Sequence, residues 1–414
     1  MARLVLKFGG TSLADIKHIE NAAEKVAREV ANGHQIAVVV SAMSGVTNKL
    51  VDHCRDISPL HDAREYDAVV SSGENVTAGL MALALQKRGI QSRSWQGWQV
   101  PITCTDVHGK ARILEIDGAK MGARIDAGEV AILAGFQGVT SYGRITTLGR
   151  GGSDTTAVAL AAALEAERCD IYTDVNGVYT TDPRIVKKAR KLDMISYEEM
   201  LEMASLGAKV LQTRSVEMAM KQQVPVQVLS SLEDPIGSDM PGTLVTKEED
   251  IMEQELVSGI TCDKGDAKVT LIGVPDIPGV AAQIFGPLAD HAINVDVIVQ
   301  NISQDGKSTD MTFTAPQADL HRVLEVLNNC PPLKDVEIRS DADVVKLSVV
   351  GIGMRSHAGV AQTMFQTLAD KGINIQLIST SEIKVSVLIA SEYTELAIRA
   401  LHDAYKLEEK RIIN

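Results

Sequence analysis

The C-terminal part of the chain repeats itself, and this limits the possible architecture more than any other feature. Lys268-Val269-Thr270-Leu271-Ile272-Gly273 resembles Lys346-Leu347-Ser348-Val349-Val350-Gly351, and Gly279-Val280-Ala281 returns as Gly359-Val360-Ala361 at an offset of 80 residues. Phe285 recurs as Phe365, Leu288-Ala289-Asp290 as Leu368-Ala369-Asp370, and Ile293-Asn294 as Ile373-Asn374. Each unit reads as a strand, a glycine-containing turn, a helix, a strand, and then a polar turn and another strand. That is a βαββαβ, ferredoxin-like pattern present twice. It is predicted over 257–343 and 344–414, with the strand at 257–263 open to sharing between the two. A charged stretch before it, 247–256, reads as a linker.

The first 246 residues follow a different rule. Leu4 to Phe8, Ile36 to Val40 and Val130 to Leu133 are apolar, β-branched runs that read as buried parallel strands. Between them lies Asp15 to Ala31, with Ile16, Ile19, Ala23, Val26 and Val30 on one helical face. The alternation continues through Cys169 to Tyr172 and Val224 to Leu229, which predicts an α/β sandwich around a mainly parallel sheet. Composition narrows the function. With 41 Lys+Arg against 54 Asp+Glu, a formal charge of −13 and 3% aromatic residues, the chain lacks the basic, ring-bearing surface that nucleic acids require. No apolar run reaches the roughly 20 residues of a membrane span, and no membrane partner is expected. The N-terminus has no secretory h-region. Five scattered cysteines without a C-x-x-C pair form neither a disulfide framework nor a zinc site, so a reduced, cytoplasmic protein is expected.

Several turns carry chemistry. Lys7-Phe8-Gly9-Gly10-Thr11-Ser12 ends the first strand. Its glycines let backbone N–H groups approach an anion, and its lysine adds a mobile charge suited to phosphate. Gly149-Arg150-Gly151-Gly152-Ser153-Asp154-Thr155 opens an alanine-rich helix, where Arg150 and Ser153 suit a carboxylate and Asp154 suits the ordering of lysines; a plain N-cap role is compatible with this. Thr173-Asp174-Val175-Asn176-Gly177-Val178-Tyr179, followed by Asp182-Pro183-Arg184, puts a ring and a guanidinium where a nucleotide would need them. Ser41 to Asn48 and Ser71 to Asn75 are small-residue turns, with Glu74 placed to meet an ammonium. No P-loop, no H-E-x-x-H and no nucleophile-plus-base arrangement is present.

In their order and approximate spacing, these motifs and Gly207-Ala208-Lys209-Val210-Leu211 resemble the aspartate kinase family, of the amino-acid kinase fold. The repeat resembles that family's paired ACT regulatory domains. The resemblance implies a three-layer kinase domain over 1–246 and transfer of the ATP γ-phosphoryl group to L-aspartate, giving 4-phospho-L-aspartate, the first step of lysine, threonine and methionine biosynthesis. It implies Lys7, Asp154 and Lys209 as catalytic groups. ATP would be held by Lys7, Gly9, Gly10, Thr173, Asp174, Tyr179, Arg184, Lys209 and Val210, and aspartate by Thr47, Glu74, Arg150 and Ser153. Mg²⁺ would arrive with ATP, with no protein ligand named. One departure is Asn176, where many members carry Asp. The same chemistry on glutamate or N-acetylglutamate, or a nucleotide-binding amino-acid sensor, are the competing readings.

The ACT resemblance further implies feedback inhibition by lysine and/or threonine. The effector groups would be Asp276, Gly279, Val280, Ala281, Asn294 and Gln300 in the first unit, and Val360, Asn374, Ile375, Ser381 and Glu382 in the second. A homo-oligomer is implied, or an α₂β₂ assembly whose regulatory subunit begins at an internal start such as Met252.

Overall fold

Strands at 3–8 and 35–40 have no polar face to give to water, and both are buried almost from end to end. In the computed structural model they pair in parallel, Leu4 beside Ile36 and Phe8 beside Val40. The structure describes residues 1–208, 210–239, 242–251, 256–302, 308–334, 336–356 and 359–409. Lys209 and Met252, singled out above, lie outside them.

In chain order the N-terminal elements are β1 (Arg3–Phe8), α1 (Ile16–Ala31), β2 (Gln35–Val40), α2 (Val46–Ile57), α3 (Ala63–Val70), α4 (Ser72–Gln86), β3 (Ser92–Trp95), β4 (Ile102–Cys104) and β5 (Ile113–Ile116). There follow α5 (Ala119–Asp126), β6 (Val130–Ala134), β7 (Gln137–Val139), β8 (Ile145–Thr147), α6 (Gly152–Ala163) and β9 (Arg168–Thr173). The series ends with β10 (Met194–Ser196), α7 (Tyr197–Ser205), α8 (Thr213–Gln222), β11 (Val226–Ser230) and β12 (Thr243–Thr246). The main sheet has the order β10-β12-β11-β9-β1-β2-β6-β3 and is parallel except between β11 and β12. Ile19 and Val26 of α1 and Met81 and Leu85 of α4 join Leu4, Leu6 and Phe8 in one apolar core. Helix α6, buried from Gly152 to Ala161, packs on β1. Strands β5-β4-β7-β8 form a small separate sheet.

One stretch, Ala63–Gln86, is long and apolar enough to cross a bilayer, which the reading of apolar runs passed over. More than half of its most apolar window is buried in the protein, and it carries the buried carboxyls of Asp67 and Glu74, so it packs as core helix.

The C-terminal elements are β13 (Gly259–Asp263), β14 (Asp266–Pro275), α9 (Val280–Asp290), β15 (Ile298–Ile302), β16 (Ser308–Pro316), α10 (Leu320–Asn328) and β17 (Glu337–Asp341). The second repeat supplies β18 (Val344–Val350), α11 (Val360–Asp370), β19 (Leu377–Thr380), β20 (Lys384–Ala390) and α12 (Thr394–Ala404). The first half is a complete βαββαβ unit with strand order β15-β16-β14-β17, as ferredoxin-like topology requires. The second half borrows its fourth strand: β13, which precedes the first repeat, lies antiparallel to β18 and gives the order β13-β18-β20-β19.

The chain divides into two compact units with one cut inside the expected 247–256 linker and with two short earlier segments, 180–190 and 206–208, assigned to the second unit. Unit 1 comprises 1–179, 191–205 and 209–253; unit 2 comprises 180–190, 206–208 and 254–414. The reason is local bonding. The carbonyl of Thr180 accepts from Ile260 N–H at 2.7 Å, its hydroxyl lies 3.2 Å from His402 Nε2, and Val186 joins the apolar core of the second repeat. Arg399 donates to the carbonyl of Ile185 at 3.1 Å.

Ile260, 1% exposed on β13, packs in the same core as Leu347, Val387 and Leu401. Ile260→Ala is expected to destabilise unit 2 by about 2–5 kcal/mol, the usual range for such a buried truncation, in urea unfolding followed on that unit. A loss below about 1 kcal/mol would show that β13 is not part of the second half's fold.

Candidate active site

A parallel sheet delivers the C-terminal ends of its strands, and the helix N-termini that follow, to one edge. Here β9, β1, β2 and β6 stand side by side, and their exits are tied together in that order. Gly9 N–H donates to the carbonyl of Tyr172 at 3.4 Å, Ser41 N–H to that of Phe8 at 3.1 Å, and Gly135 N–H to that of Val40 at 3.0 Å. Lys7 and Asp154 meet at this edge. Lys7 Nζ lies 2.5 Å from Asp154 Oδ1, and each residue is only 8% exposed. The ammonium stands over the turn, 3.3 Å from where a side chain on Gly9 would begin. Asp154 lies in the first turn of α6, where the helix dipole favours a carboxylate.

The turn before α6 could be built only with glycine. Gly151 adopts φ +72°, and a Cβ there would stand 2.1 Å from Gln212 Cγ. Its neighbour Arg150 is exposed, and Ser153 is buried against Gly135, whose added Cβ would meet Ser153 Oγ at 3.0 Å.

Glu74 enters from the first turn of α4 and is 3% exposed. Its Oε1 accepts from Ala42 N–H at 3.1 Å, while Oε2 is buried with no hydrogen-bond partner among the described residues. Burial pushes this carboxyl up to about 7. Gly73 allows the approach, since a Cβ there would lie 2.8 Å from that of Ala42. Gly10, in turn, would carry its Cβ 3.1 Å from the Ala42 carbonyl, so the Lys7 turn and Glu74 border the same backbone. Thr47, half-buried, lies in the first turn of α2.

At the exit of β9, the Thr173 hydroxyl donates to the exposed carboxylate of Asp174 at 3.1 Å. The Tyr179 hydroxyl donates to Asn176 Oδ1 at 2.8 Å, and Asn176 Nδ2 donates to Glu233 at 3.0 Å. Asn176 therefore serves as both acceptor and donor, which an aspartate could not do. Val210 is half-buried in unit 1. Arg184 belongs to unit 2, where its exposed guanidinium grips Asp182 through bonds of 2.8 and 3.0 Å.

In unit 2, Asp276, Gly279 and Ala281 are exposed around the β14–α9 turn, and Val280 is buried there as the first residue of α9. Asn294 precedes the edge strand β15, which carries Gln300. Val360 starts α11, Asn374 and Ile375 precede the other edge strand β19, and Ser381 and Glu382 form the turn after it. The two sets occupy corresponding places in the two halves.

Sequence reasoning passed over Gly135 and Gln137, and took Ala42 only as part of the Ser41 to Asn48 turn. Gln137 donates to the carbonyl of Ser71 at 3.1 Å and to Asn75 Oδ1 at 2.8 Å, fixing the start of α4 beside Glu74. The available signal was the Gly-Phe-Gln that ends the apolar run of β6, a strand-end glycine like Gly9.

Comparison with known proteins identifies the family. The amino acid kinase family matches residues 2–230, and ACT domains match residues 268–332 and 347–405. The aspartate kinase of Stutzerimonas stutzeri is 54% identical over 410 residues, covering 99% of this chain and 98% of that one. The aspartokinase of Geobacillus stearothermophilus is 46% identical over 411 residues, with the same coverage of 99% and 98%. Among solved structures, E. coli aspartokinase III in complex with aspartate and ADP superimposes with a TM-score of 0.79 at 28% identity, covering 97% of this chain and 99% of that one. The chain belongs to the amino acid kinase family and, within it, to the aspartate kinases.

Proposed function

We propose that the chain transfers the γ-phosphoryl group of ATP to the side-chain carboxylate of L-aspartate, giving 4-phospho-L-aspartate and ADP at the head of lysine, threonine and methionine biosynthesis. The observation that carries this reading is the buried Lys7–Asp154 pair at the glycine-rich strand edge. An aspartate side chain, with a pKa of about 3.9, is already ionised at pH 7 and needs no general base. The barrier is repulsion between that anion and the triphosphate, so the protein's task is positioning and charge neutralisation. Lys7, held by Asp154, stabilises the transferring phosphoryl group, and Lys209 supplies a second positive charge. The amides of Gly9 and Gly10 cradle phosphate. Arg150 and Ser153 take the carboxylates of aspartate, Glu74 its ammonium, and Thr47 closes the subsite. Thr173, Asp174 and Tyr179 hold the nucleotide. Mg²⁺ enters on the triphosphate as part of the substrate. Lysine and/or threonine bind at the ACT halves and restrain the enzyme.

Three measurements test this reading. Trapping the acyl phosphate as its hydroxamate should give product with aspartate, ATP and Mg²⁺. Lys7→Met together with Asp154→Asn, which avoids stranding a buried carboxylate, should lower kcat by about 10²–10⁴ while the protein stays folded. Product from glutamate instead of aspartate would reassign the substrate.

The second measurement is pH dependence. Glu74 with a proton cannot attract an ammonium, so kcat/KM for aspartate should fall as pH drops through 7, to roughly one-tenth of its plateau by pH 6. Glu74→Gln should be weaker at every pH and should lose that limb; a variant that keeps it would sink the assignment.

The third concerns Asp276, exposed at the β14–α9 turn. Asp276→Ala should abolish inhibition by lysine plus threonine in the hydroxamate assay without changing the uninhibited rate. Unchanged inhibition would place the effector elsewhere.

A further inference from the structure

Asp67 plays no part in the chemistry described so far, yet its carboxylate is among the most fully engaged groups in unit 1. It lies on α3 with 0% exposure. Oδ1 accepts from the Thr147 hydroxyl at 2.6 Å. Oδ2 accepts from the backbone N–H groups of Gly109 at 3.0 Å and Thr147 at 3.1 Å, and from the Thr146 hydroxyl at 3.2 Å. His108 Nδ1 is 2.7 Å away, and its Nε2 faces Asp106 at 3.3 Å.

These partners share one neighbour. Thr146 and Thr147 end β8 and run directly into Leu148-Gly149-Arg150-Gly151, the turn that presents Arg150. Gly109 borders the same turn from the other side, since its carbonyl would lie 3.0 Å from a Cβ on Gly149. Ala111 N–H donates to the Thr147 carbonyl at 3.0 Å. A second clamp meets the first: Arg214 of α8 donates to the carbonyl of Leu148 and, at 2.9 Å, to that of Ala111. Leu148 N–H is itself bonded to the carbonyl of Phe136 at 2.9 Å. Arg150 is thus a long, exposed side chain on a turn whose flanks are locked, and the lock on its N-terminal side is a buried carboxylate.

We propose that Asp67 is a positioning residue for aspartate recognition, holding the 148–151 turn so that Arg150 meets the substrate carboxylate. The inference rests on the reading of Arg150 given above. Asp67 touches neither substrate, so its effect is selective: it sets one subsite and leaves the nucleotide side and the Lys7–Asp154 pair alone.

The test is steady-state kinetics of Asp67→Asn, which keeps the shape but sets an amide N–H₂ against donors. The KM for aspartate should rise about 10–50-fold, with the KM for ATP within about twofold and kcat reduced less than about fivefold. Equal losses toward both substrates, or an unchanged aspartate KM, would overturn the proposal. Should Asp67→Asn fail to fold, Thr147→Val removes only one bond to the carboxylate, and the aspartate KM alone should rise about 3–10-fold; no rise overturns the proposal equally. Arg150→Ala in the same assay separates the two levels. If it raises the aspartate KM and Asp67→Asn does not, the positioning role falls alone; if it does not, the Arg150 reading falls and takes this one with it.

Discussion

The ion pair between Lys7 and Asp154 sets the terms for the rest of unit 1. Two charges held 2.5 Å apart with each residue 8% exposed are costly to desolvate, and such a pair is seldom worth more to stability than well-packed apolar side chains. What the pair needs is a frame that cannot relax away from it. Lys7 sits on β1, with β9 on one side and β2 on the other. Asp154 opens a helix whose residues Ala157, Val158, Leu160 and Ala161 are all 0% exposed. The charges stand on two of the most deeply buried elements of the unit, β1 and α6, so the ammonium and carboxylate are held in a fixed frame.

Unit 2 solves a different problem with related means. Lys346 on β18 is 5% exposed and is held by Asp266 at 2.8 Å and Asp296 at 2.5 Å, both in the first repeat. Lys268 of β14 in turn donates to Gln376 of the second half. The two ferredoxin-like halves are therefore joined by directional polar contacts, which fix a register that apolar packing alone would leave looser. The borrowed strand β13 adds to this, because the second half is incomplete without chain that precedes the first.

The strand-end turns were legible in the sequence because their signals are local. A run such as Leu4 to Phe8 followed by Gly-Gly announces both the strand and its glycine turn, and the ferredoxin-like repeat announces itself by self-similarity. Long-range partners carried no such mark. Asp67 is one aspartate in a charged stretch, and only folding brings it to residues 108, 109, 146 and 147. Arg184 read as part of the nucleotide loop because it follows Tyr179 closely, but the chain passes into unit 2 between Tyr179 and Thr180. Chain proximity and membership of a compact body parted there, and nothing in the composition of 180–190 records which core Val186 enters.

Glu74 shows how such a site prepares for its ligand. Its carboxyl, raised from about 4.5 to about 7 by burial, is more easily protonated in the folded chain than in the unfolded one. Below pH 4.5 both states carry the proton and nothing is lost. As pH rises from there toward 7 the unfolded chain ionises first, and folding loses up to about 3 kcal/mol, a deficit that persists above 7. A hydrogen-bond partner for Oε2 from within the chain would relieve that deficit, yet among the described residues Oε2 has none, while Ala42 N–H donates to Oε1. An ammonium brought by a ligand supplies both the missing donor and the opposite charge. The same burial that makes the empty site unfavourable for an ionised Glu74 strengthens its attraction for a cation, because both follow from exclusion of water. A ligand without a cationic group would leave the deficit in place.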